Sequence, residues 1–201
     1  MKKLLFLLII LIFVSGCNEE GAFDGYHITI SIPDANEIEQ FTGPIKDYNI
    51  TTLTAEDFGK FALSSPKGFE FSVYARYTLK EYDNSTIDIR ITKYGEKENI
   101  TENINNIFNL FSNNAKNTGH RIEIVNEFNF IDQDVDTVRA FYHKGWFYEG
   151  CGNFFVMSSI FVKKGAYIIE VSEYLNPNIE SIGQENLEKI VGVVLNQNNF
   201  L

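Results

Sequence analysis

The 201-residue chain predicts an α+β domain in which an antiparallel sheet has two amphipathic helices packed on it. Three observations predict this class. Phe69 to Leu79 and Thr86 to Thr92 alternate with the period of strands. The period then changes, because Ile104, Ile107, Phe108, Phe111 and Ala115 recur as the stripe of an amphipathic helix. More strand-like segments and a last helical stripe follow, an order that argues against a doubly wound parallel sheet.

Before the domain comes a targeting segment. Met1, Lys2 and Lys3 form a short positive start, and Leu4 to Val14 is an unbroken apolar run, the two parts of a secretory signal peptide over residues 1–16. As a helix the apolar run covers about 17 Å, against about 30 Å of bilayer hydrocarbon, so it is too short to remain as a transmembrane span. The run ends Val14-Ser15-Gly16-Cys17, which resembles the bacterial lipobox. The resemblance implies diacylglyceryl transfer to the Cys17 thiol, cleavage before it, and further acylation of the new amine by a palmitate-like chain. Two or more chains give stable anchoring where one gives only marginal binding. Asn18 follows the cysteine where an aspartate would retain a lipoprotein at the inner membrane in enterobacteria, so the resemblance favours the outer membrane.

Removing the signal leaves 185 residues, enough for one well-buried core. Residues 17–25 are read as a lipidated acidic tether, the part after Cys17 reaching at most about 28 Å, and 26–201 as one globular domain. Loss of Lys2 and Lys3 takes the net charge from −10 to −12, which argues against nucleic acid and against electrostatic docking on anionic lipid. The lipid on Cys17 is the expected membrane contact. Cys151 is then the one other cysteine, so the domain is no disulfide scaffold and its stability must come from a core, which a chain with 18 Phe can supply.

Tyr26 to Ile32 alternates as a strand that Pro33 stops, and Gly43-Pro44 marks a turn before Ile45 to Leu53, a strand or irregular edge segment. The turn Ser65-Pro66-Lys67-Gly68 opens Phe69 to Leu79, which with Thr86 to Thr92 reads as an antiparallel pair with one wet face. Thr101 is the expected N-cap of the first helix, with Lys116 in its last turn and Gly119 as its stop. Strands are expected over Arg121 to Ile131, Val135 to Lys144, Phe154 to Lys163 and Ala166 to Tyr174, the last two joined tightly at Lys164-Gly165. Ser181-x-x-Gln184 reads as a capping box ahead of Leu187, Ile190, Val191, Val194 and Leu195.

Pro66-x-Gly68-Phe69 before the first long strand, then a helix, consecutive strands, Gly165-x-Tyr167-Ile168-Ile169 and a final helix together resemble the PsbP-like and DcrB-like α/β/α sandwich, over roughly residues 61–195. That resemblance implies an interaction or assembly factor, and assigns no catalytic residue.

Motifs for chemistry are sparse. Asp132-x-Asp134-x-Asp136 has the spacing of a calcium loop, but Thr137 and His143 stand where glycine and glutamate belong, so an acidic turn is favoured over a metal site. His27, His120 and His143 are widely separated and match no zinc spacing. His143 and Cys151 share a region as a thiol-imidazole candidate, with coincidence the favoured reading. No nucleophile elbow, phosphate loop or dinucleotide fingerprint occurs, and no cofactor is expected. The aromatic run Phe141 to Phe155 (FYHKGWFYEGCGNFF) holds the one Trp of the chain among glycines. Trp146 and Tyr148 are its candidate partner contacts, against the alternative of a hairpin packed inward. The expected function is a non-catalytic interaction or assembly module of the cell envelope, with an envelope protein as partner. The alternatives are a carrier of an apolar ligand or lipid, and an envelope hydrolase without a recognisable motif.

Overall fold

The computed structural model describes residues 30–60, 67–81, 85–95, 97–117, 120–131, 134–146, 156–176 and 180–200. In chain order these form α1 (Ala35–Thr42), β1 (Ile45–Thr54), α2 (Ala55–Lys60), β2 (Phe69–Leu79), β3 (Thr86–Tyr94) and α3 (Lys97–Asn117). Then come β4 (His120–Val125), β5 (Thr137–Trp146), β6 (Val156–Lys164), β7 (Tyr167–Leu175) and α4 (Gln184–Gln197). The strands make one open sheet in the order β1-β2-β3-β7-β6-β5-β4, each neighbouring pair antiparallel. The α+β class and the antiparallel sheet are as the sequence predicts, but four helices are described where two were expected.

The first of the added helices has a local cause. Asp34 accepts a hydrogen bond from the Glu37 amide at 2.9 Å, and the Glu37 carboxylate accepts from the Asp34 amide at 2.8 Å, a reciprocal capping box. Gly43 ends α1 at φ 80°, its amide donating to the Glu39 carbonyl at 2.9 Å, and Pro44 cannot continue the helix. In the second, Asp57 caps α2 by accepting from the Thr54 amide at 2.7 Å and its hydroxyl at 2.9 Å. Ile30 to Ile32 is irregular, not strand: the Ser31 backbone is held by the Asn198 side chain after α4, at 2.8 and 2.9 Å. Residues 26–29 of that expected strand lie outside the described residues.

Other boundaries move for similar reasons. Thr101 lies inside α3, which begins one turn earlier, and Gly119 lies outside the described residues. β4 ends at Val125, because the Asn129 and Phe130 amides donate to Glu188 on α4 instead of to a strand. The cap of α4 is Gly183 at φ 88°, with no side-chain cap bond; the Ser181 hydroxyl turns to Glu173 and to the Gly183 amide. Gly165, at φ 56°, opens the two-residue turn between Lys164 and Tyr167, the expected tight hairpin.

Alternation along the strands divides the core in two. Ala75, Tyr77, Ile87, Ile89, Ile91, Ile160, Val162, Ile169 and Val171 face one way, where Ile38 of α1 and Leu187, Ile190, Val191 and Val194 of α4 pack on them. Tyr94, Phe141, Phe161 and Ile168 face the other way and meet Ile100, Ile104, Phe108 and Phe111 of α3. There the ring centroids of Phe108 lie 6.1 Å from Phe141 and 6.3 Å from Phe161, and Phe111 lies 5.7 Å from Phe161. The expectation of one wet face for β2 and β3 is therefore corrected: Ser72, Tyr74, Asp88 and Thr92 on the second face are buried too.

Candidate functional site

The second face changes character from one side of the sheet to the other. Under α3, over β4 to β7, it is aromatic; over β2, β3 and β7 it is polar and charged. Register explains the contrast, since one cross-sheet row runs Tyr74, Arg90, Glu170, Phe161 and the next runs Arg76, Asp88, Ser172, Ser159, Phe141. Six polar and charged side chains, from the neighbours β2 and β3 and from the distant β7, thus stand side by side.

Their geometry is that of a closed network. Asp88, 5% exposed, accepts from the Tyr74 hydroxyl at 2.6 Å and from Arg76 Nε and Nη2 at 2.9 and 2.8 Å, a bidentate pair. The guanidinium carbons of Arg76 and Arg90 lie 5.5 and 5.3 Å from the centroid of the Tyr74 ring. Arg90 reaches Glu170 at 3.5 Å, and the Ser172 hydroxyl donates to Glu170 at 3.1 Å while bonding Ser159 at 2.7 Å. Burial pushes the Glu170 carboxyl up, with Arg90 and Ser172 opposing it. Burial, then Asp88, pushes the Tyr74 phenol far up. The hydrogen bond from Arg76 to Asp88 outweighs burial and keeps that guanidinium charged. Two basic side chains, Arg76 and Arg90, thus stand against two carboxyl groups, Asp88 and Glu170.

A second buried group lies on the opposite face, beneath α4. Glu173, 0% exposed, accepts from the Ser181 hydroxyl and from the Ile182 amide at 3.1 Å, pinning the approach to α4 onto β7. Burial raises its carboxyl above the usual range, against Ser158, Ser181 and the Ile182 amide. Glu188 accepts from Gln184 Nε2 at 2.6 Å as well as from the Asn129 and Phe130 amides at 2.8 and 3.1 Å. The Tyr142 hydroxyl is buried without a hydrogen-bond partner among the described residues. Positions 170 and 173 on β7 differ by three and point to opposite faces, so the two raised carboxyls cannot act as a pair.

The surface offers a different feature at the sheet's first edge. β1 keeps one unbroken register with β2 from Asp47 to Thr54 and has no other strand neighbour among the described residues. Its end amides are occupied, Ile45 by Glu39 at 2.8 Å and Thr54 by Asp57. Between them Tyr48 and Ile50 stand 46% and 47% exposed on the α4 side, the Tyr48 ring stacked on Tyr77 at 5.6 Å. The opposite edge is shorter: β4 spans six residues, is bulged at Arg121/Ile122 and carries Arg121 and Glu123 beside one exposed apolar residue, Ile124.

Of the residues singled out by sequence, Trp146 ends β5 with its backbone opposite His120, while Cys17, Tyr148 and Cys151 lie outside the described residues. Asp132 also lies outside them. Asp136 binds Lys163 Nζ at 2.5 Å and the Gly165 amide at 3.1 Å, and Asp134 meets Lys164 at 3.4 Å, which is the geometry of an acidic turn. No group of three or more metal-ligating side chains occurs among the described residues. Sequence reasoning missed Tyr74, Arg76, Asp88, Arg90 and Glu170, since a charge alternating with isoleucine reads as a solvated face. The missed signal for α1 was Asp34-x-x-Glu37.

The family described as a prokaryotic membrane lipoprotein lipid attachment site matches residues 1–18. Comparison with curated proteins gives no match. Among solved structures, an uncharacterised protein of Mycobacterium smegmatis is similar at 10% identity and TM-score 0.41, over 82% of this chain and 96% of that one. The extracellular domain of PknH from Mycobacterium tuberculosis is similar at 10% identity and TM-score 0.40, over 81% of this chain and 92% of that one. The attachment-site match falls on the residues that carry the lipobox and supports a bacterial lipoprotein, anchored by lipid at the cell envelope.

Proposed function

We propose that the lipid-anchored domain is a non-catalytic interaction or assembly module of the cell envelope, and that it engages its partner by strand addition at β1. The observation that carries this reading is the unprotected edge: an eight-residue register, free of bulges after Asp47, with two exposed apolar side chains at its centre. The buried carboxylates support it from the other direction. Asp88, Glu170, Glu173 and Glu188 are each engaged by amides, hydroxyls or guanidinium groups that hold strands and loops in place, a structural use of charge. The kinship with the PsbP-like and DcrB-like sandwich, and an outer-membrane address, belong to the same proposal.

The experiment is chemical crosslinking of the lipidated protein in its own membrane, then purification in mild detergent and native mass spectrometry. A stoichiometric protein partner is the expected result. A discrete lipid beyond the anchor, released on unfolding, would overturn the reading in favour of an apolar-ligand carrier. A bare monomer would overturn it as well.

A further inference from the structure

The pattern of β1 points to what occupies this edge, and the inference rests on the reading just given: we propose that β1 pairs antiparallel with β1 of a second copy of the chain, about a two-fold axis through Asn49. In that register Tyr48 of each copy lies opposite Ile50 of the other on the α4 side, so the two exposed apolar residues of each strand cover one another. Asn49 faces Asn49 on the other side, Asp47 faces Thr51, and Lys46 faces Thr52. No like charges meet at the strand, although each copy carries a large net negative charge. A register centred on Tyr48 would set Lys46 against Ile50, and one centred on Ile50 would leave Tyr48 against Thr52. The Asn49 register is the self-complementary one, which a two-fold interface requires.

The anchor favours the same arrangement. The chain reaches the described domain at Ile30, just before α1, and α1 leads through Gly43-Pro44 directly into β1. The thirteen residues from Cys17 to Thr29 span no more than about 45 Å, and both copies present the α1 face toward the same end of the axis, so both anchors of such a dimer can insert into one bilayer. A single strand pair is smaller than the roughly 1,200 Å² of a stable interface, and is weak in bulk solution. Lipid confines the copies to a plane and raises their effective concentration, which populates the pair on the membrane.

The test uses the full lipidated chain in a Cys151→Ser background, with Asn49→Cys or Thr51→Cys added, in phosphatidylcholine vesicles under mild oxidation. Cysteines at Asn49 face each other within disulfide reach, whereas those at Thr51 sit four residues apart along the paired strands, about 13 Å, beyond it. The expected result is a disulfide dimer for N49C formed about tenfold faster than for T51C, and lost on adding Ile50→Lys while far-UV circular dichroism is unchanged. Equal rates at the two positions would mean random collision and would overturn the pairing. The same variants, crosslinked in native membranes, separate the two proposals. A crosslink from Asn49 to a different protein sinks the homodimer and keeps the interaction module, and no crosslink to any protein sinks both.

Discussion

Removing Arg76 should cost more stability than removing the charge of Asp88, although both changes break the same pair. The asymmetry follows from exposure. The Asp88 side chain is 7% exposed and Arg76 is 32% exposed, with two hydrogen bonds of 2.8 and 2.9 Å between them. Arg76→Met keeps most of the packing but leaves a carboxylate out of water with the Tyr74 hydroxyl as its closest donor, a change that costs about 3–5 kcal/mol when a buried charge loses its partner. Arg90, whose guanidinium carbon lies 5.3 Å from the centroid of the Tyr74 ring, places the expected value toward the lower end. Asp88→Asn preserves shape and an acceptor for Tyr74, and the guanidinium it releases regains water. Discounting charge-assisted hydrogen bonds for that exposure leaves about 1–2 kcal/mol. The double variant should fall short of the sum by about 2 kcal/mol, because its second change removes the orphaned charge created by the first. Urea unfolding of the lipidated chain in mild detergent, followed by far-UV circular dichroism, measures all three; a difference of about 2 kcal/mol moves the midpoint by about 1 M. If Asp88→Asn proves as costly as Arg76→Met, or if the two add, Asp88 and Arg76 are not a desolvated pair and the account of the second face is wrong.

Phe161→Ala should destabilise the domain by about 3–5 kcal/mol, since it empties the centre of the contact between α3 and the sheet; a thermal midpoint within a degree or two of wild type would contradict that packing. Glu170 and Glu173 bind protons more tightly folded than unfolded, so they contribute stability at low pH that is lost as pH rises from the ordinary carboxylate value of 4.5 through their raised folded values. Stability measured between about pH 5 and 7 should therefore decline less steeply for Glu173→Gln than for wild type, and an unchanged slope would refute the assignment. Tyr142→Phe removes a buried hydroxyl that has no partner among the described residues and should raise stability by about 1 kcal/mol; a comparable loss would reveal a hydrogen bond there. Cys17→Ser should abolish incorporation of labelled palmitate and leave the precursor sixteen residues longer, and continued labelling would place the lipid elsewhere.

Much of the local structure was legible in residue order. The isoleucines of Thr86 to Thr92 mark β3, the stripe from Ile104 to Phe111 marks α3, Leu187 to Leu195 marks α4, and Gly165 marks the last hairpin. Each is a signal that a segment carries by itself, as is the lipobox. α1 was equally local, in Asp34 and Glu37, and was obscured because a carboxylate caps a helix where serine or threonine is the more familiar sign.

Periodicity states which side chains share a face, and it is silent on what lies against that face. Asp88 and Arg90 alternate with isoleucine just as solvated residues do, and only the placement of β3 between β2 and β7 sets Arg76, Tyr74 and Glu170 around them and removes them from water. The same placement makes β1 an edge, since β3 finds its second neighbour about 80 residues further along the chain, at β7, and the later strands build outward from there to β4. Strand pairing at that separation depends on burial summed over both faces of the whole sheet, which no local window of sequence contains. The sequence alone determined the anchor, the period of each main element and the class of the domain. Tertiary structure determined which charges are buried, and which strand is left at the edge of the sheet.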